Sequence, residues 1–171
     1  MSSGLGRLMG KALDNLAKFD SNNVCILVID DDVTTRTLLK KLLAAIGAAR
    51  IWEAADGIEG LQISFGDLTP DLILCDLGME PIDGLAVIGA IRATGKTHLS
   101  KVPLVVFTGS HEKAILDGAL KAGATGVIPK PHTPRDLAKY LCGLVSRTKP
   151  SSDGLKEFHD AAKQDSDEPK P

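Results

Sequence analysis

The sequence predicts an α/β fold, a doubly wound sheet of five parallel strands with helices on both faces. Three observations carry that reading. Residues 24–29, 72–75, 102–107 and 126–129 are short, continuous apolar runs, the pattern of parallel strands buried on both sides. Segments of helical periodicity separate the runs, so strand and helix alternate. Each run also ends on residues that carry chemistry: Asp30-Asp31-Asp32, Asp76, Thr108 and Lys130. In an open parallel sheet the C-terminal strand ends share one edge, where such folds place ligand sites.

Each element has its own signal. Leu38, Leu39, Leu42, Leu43 and Ile46 form a helical stripe over residues 34–46, closed by Gly47. A short strand follows at 51–54. Asp56-Gly57 turns the chain into a second helix, whose inward face is marked by Ile58, Leu61 and Phe65. Pro70 introduces the strand at Leu72; after the loop at 77–83, Gly84 opens a third helix with Leu85, Ile88 and Ile91 inward. Pro103 lies near the start of the strand that stops at Thr108. The fourth helix spans 112–122 and ends at Gly123. The last begins at Thr133-Pro134, an N-cap followed by proline at the first helical position, and carries Leu137, Leu141, Leu144 and Val145.

A chain of 171 residues accommodates one full core with extensions rather than two ordinary domains. Twenty Lys and Arg against 22 Asp and Glu leave a net charge of −2, so no basic field exists to hold nucleic acid or an anionic membrane. No apolar stretch approaches the ~20 residues of a membrane span, and the N-terminus lacks a signal pattern, which predicts a cytoplasmic protein. Cys25, Cys75 and Cys142 sit within apolar segments and read as reduced core thiols. Residues 1–22 form an extension in which Leu5, Leu8, Met9, Ala12, Leu16 and Phe19 recur at helical intervals. That amphipathic helix is expected to dock on a partner or on a second copy of the chain, or else to pack on its own domain. Residues 23–147 form the domain, and 148–171 a polar, largely disordered tail.

The segment from Val24 to about Arg147 resembles the receiver domain of two-component response regulators, chemotaxis-regulator-like and single-domain. The resemblance rests on Asp30-Asp31, Asp76 with Met79 and Asp83-Gly84, Thr108-Gly109, and Lys130-Pro131, all in order. It implies a flavodoxin-like sheet with strand order 2-1-3-4-5. It also implies that Asp76 accepts a phosphoryl group from a histidine kinase or phosphotransfer protein, and that Asp31, Asp76 and the main-chain oxygen of Gly78 bind Mg²⁺ directly. Asp30 would hold metal-bound waters, and Thr108 and Lys130 would contact the phosphoryl oxygens. Output would be binding to a downstream protein target or onward phosphorelay, and the domain would promote only its own phosphotransfer and dephosphorylation.

The chain departs from the family pattern at several places. Glu80 stands where a proline is usual, with Pro81 one place later. Gly78 and Ser110 are small at positions that tune loss of the phosphoryl group, and Val127 replaces a switching aromatic on the fifth strand.

Two rival readings remain. Asp30-x-Asp32-Val33-Thr34 after an apolar strand also resembles the first motif of haloacid-dehalogenase-type phosphohydrolases, with Asp30 as nucleophile and Asp32 as acid/base. That assignment leaves Asp76 unexplained, and no acidic pair follows Lys130 at a further strand end. The other is a receiver fold that takes no phosphate and serves only as a docking module. Asp32 is equally readable as a plain helix start, Trp52 as packing beside the second strand, and His98, His111, His132 and His159 as scattered residues without ligand spacing.

Overall fold

The computed structural model describes residues 24–95, 98–110 and 112–130, together with four helical residues beyond them, Arg135, Leu137, Tyr140 and Leu141. Strand and helix alternate through β1 (Cys25–Ile29), α1 (Val33–Ile46), β2 (Arg50–Ala54), α2 (Gly57–Phe65), β3 (Leu72–Cys75) and α3 (Gly84–Ala93). A short 3₁₀ turn at Leu99–Lys101 leads to β4 (Leu104–Thr108), α4 (Lys113–Ala122) and β5 (Gly126–Pro129). The strands form one sheet in the order β2-β1-β3-β4-β5, every neighbour parallel.

Register brings the chemistry to one edge. Ile29 lies opposite both Ala54 and Cys75, and Thr108 lies opposite Pro129. Asp30 and Asp76 therefore each stand one residue past a matched pair, and Lys130 one past the partner of Thr108. Backbone bonds carry the match beyond the strands: Asp76 N–H donates to the Ile29 carbonyl at 2.9 Å and Lys130 N–H to the Thr108 carbonyl at 2.6 Å.

Both faces of the sheet are covered, which is why the strands read as unbroken apolar runs. On one face Val24, Ile26, Val28, Leu72 and Leu74 pack with Leu39, Leu42, Leu43 and Ile46 of α1 and with Leu137 and Leu141. On the other, Leu27, Ile29, Ile73 and Val106 pack with Val87, Ile88 and Ile91 of α3 and Ala119 of α4. Gly47, at φ 95°, closes α1 in the left-handed conformation that glycine adopts without strain.

Several side chains fall differently from the sequence reading. Ile58 and Phe65 of α2 are exposed, and the face turned inward is Gly57, Gly60 and Ser64, with Leu61 half-buried. A Cβ on Gly60 would meet Ile29 Cδ1 at 2.5 Å, so the absence of a side chain is what admits the helix to the sheet. In α3 the inward residues are Val87, Ile88 and Ile91, while Leu85 is exposed beside the sheet edge. Leu38 of α1 is also exposed, at the margin of its stripe. The fourth strand begins at Leu104 and includes Thr108. Trp52 is half-buried as expected, with the Arg50 guanidinium 6.0 Å from its ring. Cys25 and Cys75 are buried in the sheet. The predicted N-terminal helix, the cap at Thr133-Pro134, the polar tail, Cys142, His111, His132 and His159 lie outside the described residues. Among the described residues no helix is long and apolar enough to cross a membrane.

Candidate functional site

Asp30, the first residue after β1, is buried with only 1% of its surface exposed. Its Oδ1 accepts the Asp32 N–H at 2.9 Å, and its Oδ2 accepts no hydrogen bond, although the Lys130 ammonium stands 3.0 Å away. Burial pushes the Asp30 carboxyl above its ordinary range; Lys130 opposes that and the nearby charge of Asp76 adds to it. Asp31 is exposed beside it.

Asp76, one residue past β3, has both oxygens engaged. Oδ1 accepts the Leu77 N–H at 2.7 Å, and Oδ2 accepts from Lys130 Nζ at 2.7 Å. The following loop returns at once to the site. Gly84 N–H donates to the Leu77 carbonyl at 3.1 Å, and Asp83 Oδ1 caps α3 through the Ala86 N–H at 2.8 Å. A Cβ on Gly84 would overlap the Asp76 carbonyl oxygen, so only glycine permits this approach. The Glu80–Pro81 peptide within the loop is cis.

Lys130 reaches across from the end of β5 to bridge Asp30 and Asp76, with its Nζ also 5.9 Å from the ring of Phe107. Burial alone would lower the Lys130 pKa, but the hydrogen bond to Asp76 and the negative charges of Asp76 and Asp30 outweigh it and raise the value. The ammonium is therefore firmly charged. Thr108, 3% exposed, accepts the Ser110 N–H on Oγ1 at 3.1 Å; a hydroxyl accepting there still has its own proton to donate.

The structure thus brings Asp30, Asp31, Asp76, Thr108 and Lys130 to one edge. Asp76, Gly78, Thr108 and Lys130 line an open cleft of about 500 Å³, whose other wall is apolar through Leu77, Leu85 and Ile115. Gly78, Gly109 and Ser110 also line this space and put little side-chain bulk into it. Carboxylate oxygens of Asp30, Asp31 and Asp76 lie within 4.8 Å of one another, close enough to share one metal ion. The buried Asp30 Oδ2, held only by its ion pair with Lys130, leaves acceptor capacity in the cluster for a cation or its waters. This donor set of oxygens alone fits a hard divalent cation.

The response regulator receiver domain model matches residues 26–141. The chain belongs to the response regulator receiver family. The response regulator MprA of Mycobacterium avium is 34% identical over 128 residues, covering 75% of this chain and 54% of MprA. The chain thus spans about half the length of that relative. A chemotaxis protein CheY of Rhizobium etli is 30% identical over 113 residues, 66% of this chain and 85% of that protein. Among solved structures, the chemotaxis response regulator CheY4 of Vibrio cholerae superposes with a TM-score of 0.64 at 26% identity, covering 71% of this chain and 98% of that one.

The rival phosphohydrolase assignment needs Asp32 as an acid/base, and this receiver uses Asp32 differently. Its carboxylate caps α1, accepting from Thr34 N–H at 3.0 Å, Thr35 N–H at 3.2 Å and Thr35 Oγ1 at 2.7 Å. The Thr35 hydroxyl above all holds that carboxyl below the usual range, so it has no proton to give near neutrality. The plain reading of Asp32 as a helix start is the correct one.

Three contributors went unread in the sequence: Arg36, the Leu77 N–H, and Gly84 as a close-approach residue. A signal existed for the first. A cation in the first turn of a helix opposes the helix dipole, so Arg36 called for a compensating acceptor.

Proposed function

We propose that Asp76 is the phosphoacceptor of this receiver, taking a phosphoryl group from the phosphohistidine of a histidine kinase or phosphotransfer protein. The carboxylate forms the new O–P bond as the N–P bond to the histidine ring breaks, giving an acyl phosphate and a free imidazole. The observation that carries the reading is the single ammonium of Lys130, shared between Asp30 and Asp76 at 3.0 and 2.7 Å. An arriving phosphoryl oxygen can take over that cation, and the Thr108 hydroxyl can donate to another. Asp31, Asp76 and the main-chain oxygen of Gly78 would hold Mg²⁺, with Asp30 binding its waters. When bound, the ion supplies positive charge against the oxygens of the transferring group. This receiver would then signal through a phosphorylation-dependent protein partner or by relay.

Incubation with acetyl phosphate and Mg²⁺, read by intact mass, tests the assignment. Wild type should gain one phosphoryl group and Asp76→Asn none. Labelling that persists in Asp76→Asn and disappears in Asp30→Asn would return the phosphohydrolase assignment, and a wild type that never labels would favour the docking module.

A further inference from the structure

The acidic loop raises a question of support. Asp30, Asp31 and Asp32 are consecutive like charges, yet two of them must converge with Asp76 within 4.8 Å. Side-chain repulsion favours splaying them apart, so the loop backbone has to be held from beneath. One side chain reaches the carbonyls of the loop to do this. Arg36, on the first turns of α1, turns its guanidinium back under the loop, and a single nitrogen, Nη1, donates to the Asp30 carbonyl at 2.7 Å and the Asp31 carbonyl at 3.1 Å. Its own N–H donates to the Asp32 carbonyl at 3.0 Å, so one residue ties down all three peptide units.

We infer that Arg36 is a positioning residue for the metal site, bridging the carbonyls of Asp30 and Asp31 so that their carboxylates face Asp76 before any cation arrives. This rests on the preceding assignment of Mg²⁺ to Asp31, Asp76 and Gly78. The guanidinium acts twice. It fixes the direction in which the two side chains leave the backbone, and it brings a second positive charge, besides that of Lys130, to the acidic loop. The arrangement parallels other metal sites, in which outer partners that orient the ligands set affinity without touching the ion; removing one typically costs about 10–100-fold in metal affinity. The same interaction explains a cation in a helical first turn, where the dipole disfavours it.

Calorimetric titration of the full chain with Mg²⁺ alone tests the inference, using Arg36→Met, which keeps the apolar stem, and Arg36→Gln, which is neutral and too short to bridge both carbonyls. The expected result is a Kd raised about tenfold or more in both variants. Labelling of Asp76 by acetyl phosphate should be slow at low Mg²⁺ and return to within about threefold of wild type at saturation, because the ligands themselves are intact. A general folding defect would instead depress the saturated rate. Should Arg36→Met not fold, Arg36→Gln carries the same comparison. A Kd within about twofold of wild type in a folded variant, or a labelling defect that saturating Mg²⁺ leaves in place, overturns the role of Arg36 while leaving the site assignment standing. A wild-type chain that binds no Mg²⁺ overturns both.

Discussion

The ends of β1 and β3 lie side by side in the sheet and each presents an aspartate, yet the two are held in opposite ways. At β3 both oxygens of Asp76 are satisfied, by the Leu77 amide and the Lys130 ammonium, and α3 presses against its backbone through Gly84. At β1 the charge is in surplus. Asp30 is buried, its carboxyl driven upward by burial and one oxygen held only by the ion pair with Lys130, Asp31 is exposed, and the cation beneath the loop, Arg36, meets carbonyls rather than carboxylates. The contrast separates two tasks. The β3 end holds one carboxylate steady, whereas the β1 end gathers carboxylates that share the Lys130 ammonium with Asp76 and leave room for an added cation.

The largest break in this contrast should come from the β3 side. Gly84→Ala sets a methyl group against the Asp76 carbonyl and the Leu77 backbone, neither of which can yield without moving the loop. Overpacking of that kind costs about 1–3 kcal/mol. Urea denaturation should register the loss, and labelling of Asp76 should drop steeply. Unchanged stability and labelling would mean that α3 can withdraw without disturbing Asp76.

Next in size is the response to metal. Mg²⁺ at about ten times its Kd should stabilise the fold by roughly 1.4 kcal/mol through linkage. Asp31→Asn, which removes the proposed direct ligand from an exposed position, should erase most of that gain and leave the metal-free melting temperature near that of wild type. Equal Mg²⁺-induced shifts in the two proteins would place the ion elsewhere.

The smallest effect concerns Asp30. Its folded-state pKa lies above 3.8, so the stability it contributes is full below that value and is lost as pH rises through the raised one. Asp30→Asn should therefore melt higher than wild type near pH 7 in the presence of a chelator, and its stability should vary less with pH just above 3.8. It should also respond less to Mg²⁺. A lower melting temperature in chelator would show that the ion pair with Lys130 outweighs the cost of burying the charge.

Helices α1 and α2 show where sequence patterns are informative. Leu39, Leu42, Leu43 and Ile46 of α1 dock through bulk, so the residues that contact the sheet are the ones that stand out as apolar. Helix α2 docks through Gly57, Gly60 and Ser64, leaving Ile58 and Phe65 exposed. Its closest contacts with the sheet are made where side chains are small or absent, with Leu61 and Ile63 packing only partly buried beside them. Hydropathy counts what a residue carries, so a face built for close approach is invisible to it.

By itself the sequence determined the parallel α/β layering and the strand-end location of Asp30, Asp31, Asp76, Thr108 and Lys130. Strands covered on both faces must read as unbroken apolar runs, and βα alternation sends every strand in one direction, so their last residues necessarily share an edge. Strand order came with the family resemblance. What only the tertiary structure decided were distances across the edge and approaches between backbones: Lys130 placed between two carboxylates, Gly84 against Asp76, and Arg36 beneath the acidic loop. Local pattern fixes the direction of each chain segment. Reach across the sheet depends on register, twist and neighbouring bulk together, and no single segment encodes those.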